Sequence, residues 1–150
     1  MSNRNYWLCI FSPETWQEFL AAGADTAGFQ ENRASLAKRL EPGDYLLCYV
    51  TKSSCWIAIL EVESKCFVDK TPIWKYSSFP YRVKVKTIYQ LTLNTAIPVL
   101  SMKDELTVFQ NLANSKIWSG SFRVSPFPWK TVDGDTVFTA IEEASQQSVE

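Results

Sequence analysis

The chain has 150 residues and a formal net charge of −1, with 46% hydrophobic and 21% charged residues. These values predict one globular domain with a core of its own, and the balanced charge argues against a protein that coats nucleic acid through electrostatics alone. The sequence contains no apolar run as long as a membrane span requires. It also contains no histidine, which removes the commonest general base and the commonest metal ligand.

The cysteines and the N-terminal residues bear on the cellular compartment. Cys9, Cys48, Cys55 and Cys66 form no C-x-x-C pair, so we expect buried free thiols in a reducing compartment, with a disulfide or a reactive thiol as the alternative. We expect neither a metal site nor a cofactor. The N-terminal residues contain no long apolar stretch and no small-residue cleavage site, so the sequence predicts no signal peptide and a cytoplasmic location.

The first elements are a strand and a helix in direct succession. Residues Tyr6–Phe11 are mostly aromatic and aliphatic and contain neither Gly nor Pro, which predicts a strand. Ser12 followed by Pro13 is a typical N-cap and first helical residue. The helix that they begin is expected to end near Gly23.

A hairpin forms the predicted middle of the fold. A loop over residues 24–32 and a short helix over residues 33–40 lead to the turn Pro42-Gly43-Asp44. Two apolar runs, Tyr45–Val50 and Trp56–Val62, flank a short polar turn and predict a hairpin whose first strand is central and mostly buried.

The second half of the chain alternates short elements with irregular segments. Residues Tyr81–Tyr89 alternate valines with Arg and Lys, which predicts a half-exposed strand. The remaining elements predicted here are, in chain order, an extension of the previous strand over 64–67, an irregular segment over 69–80, a short strand at 97–99, a short helix over 103–112, a broken polar segment over 119–129 and a last helix from Asp133 or Asp135.

This order of elements predicts an α+β fold in which five or six strands form a small mixed β-barrel flanked by short helices. We expect the domain to span residues 1–144 and residues 145–150 to be a tail or linker stub.

No sequence motif for catalysis is present, so the domain is not expected to be an enzyme. The segment Asp133-Gly134-Asp135 is expected to be a helix-start turn, because the other ligands of a metal-binding loop are missing.

Aromatic and basic residues occur together in one part of the chain. Residues 61–90 carry six Lys or Arg against three Asp or Glu, and the irregular segment inside them contains Trp74, Tyr76 and Phe79. A solvated strand face and core aromatics are the simple interpretation. The functional interpretation is a nucleic-acid-binding strip in which rings stack on a base and cations contact the phosphate backbone.

Several segments taken in order resemble one known family, the EVE domain, which is similar to YTH and other PUA-like domains. The resemblance covers about residues 5–144 and rests on the following segments: Tyr6–Phe11, Ser12-Pro13-Glu14, Ala27-Gly28-Phe29, Pro42–Val50 and Pro72-Ile73-Trp74. The segment Trp118–Pro126 also looks like bacterial members found beside or fused to restriction nucleases. This resemblance implies a PUA-like fold with a pocket for a modified base.

The resemblance also implies which residues form the pocket. Phe29 falls near the first wall of the aromatic cage, where YTH proteins have Trp, and Trp74 falls at the second wall. A third wall comes from Tyr76 or Phe79. The stretch Thr26–Phe29 departs from the Trp-Asp-Gly-Val that many family members carry.

We therefore expect a binding module that flips a modified base, a modified cytosine in double-stranded DNA, into an aromatic pocket. It would be the specificity domain of a modification-dependent restriction system, with a fused or associated nuclease or motor domain. The alternatives are a reader of modified RNA, an enzyme or small-ligand-binding domain, and a protein-interaction module. The residues expected to read the base edge are Ser12, Gln30 and Asn32, and those expected to contact phosphates are Lys75, Arg82, Lys84 and Arg123.

Overall fold

The computed structural model describes residues 4–109, 122 and 124–147, and eight strands and three helices lie within them. The strands are β1 (Tyr6–Phe11), β2 (Thr26–Phe29), β3 (Tyr45–Val50), β4 (Cys55–Val62), β5 (Phe67–Val68), β6 (Tyr81–Gln90), β7 (Ile97–Pro98) and β8 (Phe127–Trp129). The helices are α1 (Pro13–Ala21), α2 (Ala34–Ala37) and α3 (Thr131–Gln147). Short 3₁₀ turns cover Glu31–Arg33, Val99–Met102 and Thr107–Phe109.

The strands form one mixed, strongly curled sheet in the order β2-β6-β4-β3-β1-β8, with β5 paired to β6 and β7 paired to β4. The pair β1–β3 is parallel, and the other pairs among the described strands are antiparallel. The predicted α+β class, with a mixed sheet and short flanking helices, is confirmed. The sheet contains more strands than the predicted five or six because β2 and β8, in segments expected to be a loop and a broken polar segment, form by pairing with β6 and β1.

The junction between β1 and α1 follows the local sequence signals. Ser12 is the N-cap: its Oγ accepts a hydrogen bond from the Thr15 backbone N–H at 3.0 Å. Thr15 Oγ1 accepts in return from the Ser12 backbone N–H at 2.9 Å. Two of the four N–H groups that a helix start leaves unpaired are thereby satisfied. The predicted strand and helix start are confirmed.

The core lies around the central strands β3 and β4, as the predicted hairpin requires. Leu46, Leu47, Ile59 and Leu60 are fully buried. Strand β3 is paired with β1 and β4 along its two edges. Its successive residues Leu46–Val50 are all buried, so both faces are covered, and a continuous apolar sequence is typical of such a strand.

The first turn of helix α3 is bonded to the turn at Thr107–Phe109 through the buried Asp133 carboxylate. The buried Asp133 carboxylate accepts hydrogen bonds from the Thr107 N–H at 2.7 Å, the Thr107 hydroxyl at 2.8 Å and the Val108 N–H at 3.2 Å. These contacts support the expected structural role of Asp133. The helix begins at Thr131 and continues to Gln147, so residues 145–147 are helical and not part of a tail.

Other predictions for individual elements were wrong. Residues 26–29, expected in a loop, form β2 because they pair with β6 along its edge. Residues 103–109, expected to be helical, form turns, one of which is a short 3₁₀ turn, and the rest of that predicted helix lies outside the described residues. Strand β8 lies in the segment that we expected to be irregular.

Within the described part of the chain, no helix is both long enough and apolar enough for a transmembrane span. The same residues contain no group of three or more Cys, Asp or Glu side chains arranged to hold a metal ion. The cysteines in this part are free thiols, of which Cys66 is the one that is partly exposed.

Candidate functional site

A pocket of about 540 Å³ opens where the end of β1, the start of α1, strand β2 and the irregular segment 69–80 meet. This volume lies within the range of small-ligand sites, roughly 300–1,000 Å³. The residues that line it are Cys9, Ile10, Phe11, Ser12, Thr15, Gly28, Phe29, Gln30, Asn32, Arg33, Thr51, Trp74, Phe79, Val124 and Ser125.

Two aromatic rings form one corner of this pocket. The rings of Trp74 and Phe79 meet edge to face, with centroids 5.2 Å apart and an interplanar angle of 85°. Phe79 is partly exposed and has a backbone φ of +39°, a conformation that L-residues seldom adopt. Such conformations cluster at ligand sites, where the surrounding structure holds them in place.

Trp74 is fixed against α1 and is 6% exposed. Its Nε1–H donates to the Thr15 carbonyl oxygen at 3.3 Å, and the Arg82 guanidinium lies 5.5 Å from its ring centroid. Although Trp74 belongs to an irregular segment, it is therefore positioned as firmly as a core side chain. A substitution at this position will affect stability as well as any ligand.

Gly28 allows both rings to approach strand β2. A Cβ atom on Gly28 would lie 2.8 Å from Trp74 Cζ3, 2.8 Å from Phe79 Cβ and 2.8 Å from the Phe79 carbonyl oxygen. Carbon atoms pack best at roughly 3.5–4.0 Å. The aromatic corner therefore requires glycine at this position.

Arg82 supports the segment that carries these rings, and the prediction that it contacts phosphate was wrong. Its side chain is 1% exposed. Its guanidinium donates to the carbonyl oxygens of Thr71 at 2.7 Å, Ser78 at 2.9 Å and Phe79 at 3.1 Å. A guanidinium that is buried and bonded to backbone carbonyls holds the segment in shape and has no free surface for a phosphate.

The residues predicted to form the base site are mostly brought together here. Ser12, Phe29, Gln30, Asn32, Trp74 and Phe79 all line the pocket. Tyr76 does not line it and is 85% exposed. Phe29 is 2% exposed and belongs to the hydrophobic core, and Trp74 is 6% exposed, so of the three predicted cage rings that line the pocket the partly exposed Phe79 offers a ligand the most free face.

The polar residues of the pocket differ in how much hydrogen-bonding capacity they retain. The Ser12 hydroxyl donates to Thr15 Oγ1 at 3.2 Å while it caps α1, which leaves one acceptor lone pair. Gln30 and Asn32 are exposed, and no side-chain hydrogen bond engages either of them within the described residues. Of the three, these two amides are the better placed to adapt to the edge of a ligand.

Two of the predicted phosphate contacts, Lys75 and Lys84, lie outside the pocket. Lys75 and Lys84 are exposed, and Lys84 Nζ donates to Thr26 Oγ1 at 3.2 Å. Lys75 follows Trp74 directly, and its Nζ lies 5.3 Å from the centroid of the Tyr76 ring. Arg123 falls outside the described residues.

Arg33 is a pocket residue that our sequence analysis did not select. Its Nη2 donates to the Pro126 carbonyl oxygen at 3.3 Å, and its buried Nε has no hydrogen-bond partner. A buried donor without an acceptor costs about 1–3 kcal/mol. The sequence signal was the run of polar residues from Gln30 to Arg33, but the approach of Pro126 from a distant segment is not readable from it.

The thiol of Cys48, next to the pocket residue Cys9, is not set up as a nucleophile. Cys9 lines the pocket and is paired in register with Cys48 on β3. Burial, together with the neighbouring Cys9 thiol, raises the pKa of the Cys48 thiol well above its ordinary value. Thiolate is the reactive form of cysteine, so Cys48 stays protonated and inert at neutral pH.

The fold and this pocket define a class of small α+β domain that is widely represented among solved structures. The YTH domain-containing protein mmi1, in a complex with RNA, superposes with a TM-score of 0.70 at 13% identity, covering 99% of this chain and 88% of that one. The YTH domain of Zygosaccharomyces rouxii MRB1, in complex with N6-methyladenosine RNA, gives 0.65 at 14% identity, covering 95% and 87%. At such identities these likenesses show the shared fold.

Sequence comparison gives the family. Residues 5–140 match the EVE domain, and the chain belongs to the EVE domain family. A UPF0310 protein of Pyrococcus abyssi is 29% identical over 130 residues, which cover 77% of this chain and 84% of that protein. The resemblance to the EVE domain inferred from the sequence is confirmed.

Proposed function

We propose that this domain is a non-enzymatic nucleic-acid-binding module that takes a single modified base into the pocket beside Trp74 and Phe79. The observation that carries this proposal is the pocket itself, with its fixed aromatic corner and two free amides at Gln30 and Asn32. A ring fixed in advance costs less entropy when a ligand binds. Stacking on an aromatic side chain is worth about 1–3 kcal/mol per base.

The concave shape of the pocket determines how a base must be presented to it. A base that is paired in a duplex cannot reach a concave site, so it must be flipped out of the stack or presented in a single strand. An added methyl group on the base gains contact with the Trp74 and Phe79 rings, whereas an unmodified base leaves that space unfilled. This difference is the physical origin of the preference for a modified base.

Our first candidate target is a modified cytosine in double-stranded DNA, read by the specificity domain of a modification-dependent restriction system. The resemblance of residues 118–126 to restriction-associated proteins favours it. In this proposal the module is cytoplasmic and acts with a fused or associated nuclease or motor domain. In this proposal Lys75 and Lys84 contact the phosphate backbone outside the pocket, and Arg123 contacts it as well.

The second candidate is modified RNA, and a specific observation favours it. Structures with the same fold, mmi1 and MRB1, were solved in complexes with RNA, one of which carries N6-methyladenosine. A reader of RNA is expected to contact the ribose 2′-hydroxyl. A deoxyribose copy of the same oligonucleotide then binds more weakly.

A catalytic role for the pocket is less well supported. Among the described residues that line it, Cys9, Ser12 and Thr15 are potential nucleophiles, but no Asp, Glu, Lys or His is present to act as a base. Arg33 stays protonated and does not serve as one. The described pocket therefore provides groups that bind a ligand and no pair that transfers a proton.

The test is a titration of the protein with DNA duplexes and RNA strands that differ in one central base: cytosine, 5-methylcytosine, adenine or N6-methyladenine. Trp74→Leu removes one of the two rings of the aromatic corner and the support of the other, and is expected to lower affinity for the preferred modified base about ten- to a hundredfold. Trp74→Phe keeps a ring and is expected to lose less. Binding that does not distinguish modified from unmodified bases would refute the proposal.

Trp56→Leu is the matched control for stability. Trp56 is fully buried, packs against Tyr49 and Trp129, and does not line the pocket. Both Leu variants are expected to lower the melting temperature. Only Trp74→Leu is expected to lower the affinity of the folded protein, so an equal loss in Trp56→Leu would assign the effect to folding.

A further inference from the structure

The charge inside the pocket is unbalanced. Among its described lining residues, Arg33 is the single charged side chain, and no Asp or Glu is present. A neutral modified base supplies no charge to match this guanidinium. A ligand that matches the pocket in charge as well as in shape must carry an anionic group near its base.

Arg33 has no protein anion as its partner. Within the described part of the chain, no carboxylate lies within ion-pair distance of its guanidinium. Among the residues that the structure describes, the one hydrogen-bond acceptor of this guanidinium is the Pro126 carbonyl oxygen, which Nη2 contacts at 3.3 Å. Partly buried cations are normally paired, so this one is available for a ligand.

The geometry of the side chain suits a phosphate. A guanidinium presents donors in a planar fork that matches phosphate oxygens, and charge-assisted hydrogen bonds of this kind are stronger than neutral ones. The contact with Pro126 fixes one nitrogen, which leaves Nη1 to meet an anion. The buried Nε gains an acceptor if the guanidinium turns toward the ligand.

We propose that Arg33 binds the phosphodiester group attached to the nucleotide whose base enters the pocket. The pocket then recognises a nucleotide unit, base and phosphate together, and not an isolated base. This inference rests on the proposed function and adds a contact within the pocket to the exposed contacts of Lys75 and Lys84. Those lysines lie outside the pocket and are expected to act on modified and unmodified strands alike.

The first measurement changes only the ligand. The probes are a DNA duplex with one central 5-methylcytosine and an RNA strand with one central N6-methyladenosine, each also made with a neutral methylphosphonate linkage beside the modified nucleotide. The neutral linkage is expected to lower the affinity of the wild-type protein about ten- to a hundredfold. The same linkage placed five nucleotides away is expected to have a much smaller effect.

The second measurement changes only the protein. Arg33→Gln is expected to lose as much affinity as the neutral linkage causes, and Arg33→Lys to lose less because it keeps the charge without the fork. Arg39→Gln is the matched control: Arg39 is exposed, lies 5.4 Å from the Trp7 ring centroid and does not line the pocket. Thermal unfolding of each variant checks that it is folded.

Combining the two changes identifies the contact. If Arg33 meets this phosphate, the neutral linkage costs Arg33→Gln little further affinity, because the interaction is already lost. If the neutral linkage lowers the affinity of Arg33→Gln as much as that of the wild type, the assignment of Arg33 is wrong. It is also wrong if the neutral linkage does not change the affinity of the wild-type protein. If Arg33→Gln does not fold, the wild-type titrations and Arg33→Lys still decide.

The outcomes also separate this inference from the proposed function. A preference for the modified base that is independent of Arg33 and of the linkage would refute the inference and leave the function standing. Binding that depends on both but ignores the modification would refute modified-base recognition and leave the phosphate contact standing. Failure of the wild-type protein to bind either probe would refute both.

Discussion

Gly28→Ala is the sharpest test of how the aromatic corner is built. The added Cβ would lie 2.8 Å from Trp74 Cζ3 and 2.8 Å from both Cβ and the carbonyl oxygen of Phe79. Relief requires a movement of roughly 0.7–1 Å to reach ordinary carbon–carbon contact. Phe79 cannot move freely, because its backbone is already at φ +39° and its carbonyl accepts from Arg82.

Overpacking of this kind typically costs about 1–3 kcal/mol. For a chain of this size that corresponds to a fall in melting temperature of about 2–12 °C. Since the displaced groups are the Trp74 ring and the Cβ and carbonyl of Phe79, whose ring completes the corner, affinity for the modified base is expected to fall together with stability. Thermal unfolding and oligonucleotide titration of the same preparation measure both quantities.

Gly134→Ala is the control, because a Cβ there would clash with the Tyr6 ring in a region away from the pocket. It is expected to lower the melting temperature and to leave the affinity of the folded protein unchanged. If Gly28→Ala melts within a degree of the wild type and binds equally well, then the close approach of Trp74 and Phe79 to β2 does not constrain the pocket, and our account of its walls is wrong.

Three further predictions concern stability and charge. Burial, with the hydrogen bond from its hydroxyl to Asp135 at 2.6 Å, raises the pKa of Tyr6 to about 12. In the unfolded chain this hydroxyl loses its proton near pH 10. The free energy of unfolding is therefore unaffected by this group below pH 10 and falls by about 2–3 kcal/mol between pH 10 and 12. Urea unfolding across that range is expected to show the loss in wild type and not in Tyr6→Phe; equal slopes would contradict it. Arg82→Gln is expected to lower the free energy of unfolding, measured with urea, by about 3 kcal/mol or more, because buried carbonyl oxygens lose a charged donor. A variant that is as stable as the wild type and binds with a reduced salt dependence would instead identify Arg82 as a phosphate contact. Lys84→Ala is expected to weaken binding to modified and unmodified strands equally and to reduce the salt slope by about one; loss of the modified target alone would place Lys84 in the pocket.

Short-range signals predicted the elements whose stability is decided locally. The predicted helix start at Ser12 and Pro13 is confirmed because a helix cap acts within a few residues. The predicted strand Tyr45–Val50 is confirmed because a continuous apolar run is itself a local signal of a strand buried on both faces. The alternation in Tyr81–Gln90 is likewise confirmed, with Val83 and Val85 buried and Lys84 and Lys86 exposed.

The candidate site was only partly predictable, because burial and exposure within an irregular segment depend on what packs over it. Trp74 and Tyr76 lie two residues apart in the same segment, yet Trp74 is 6% exposed and Tyr76 is 85% exposed. No periodicity distinguishes them. Arg82 alternates with the valines as a solvent-facing residue would, and segment 69–80 folds back over it and buries it.

The sequence by itself determined the family, the α+β class and the neighbourhood of the pocket, since these rest on local signals in a preserved order along the chain. Only the tertiary structure decided that residues 26–29 form a strand, through pairing with β6, and that Gly28 must lack a side chain there. It also brought the Pro126 carbonyl to Arg33, 93 residues away in sequence. Contacts between residues so far apart in sequence form only when the whole sheet has assembled. The sequence around either partner therefore does not indicate the other.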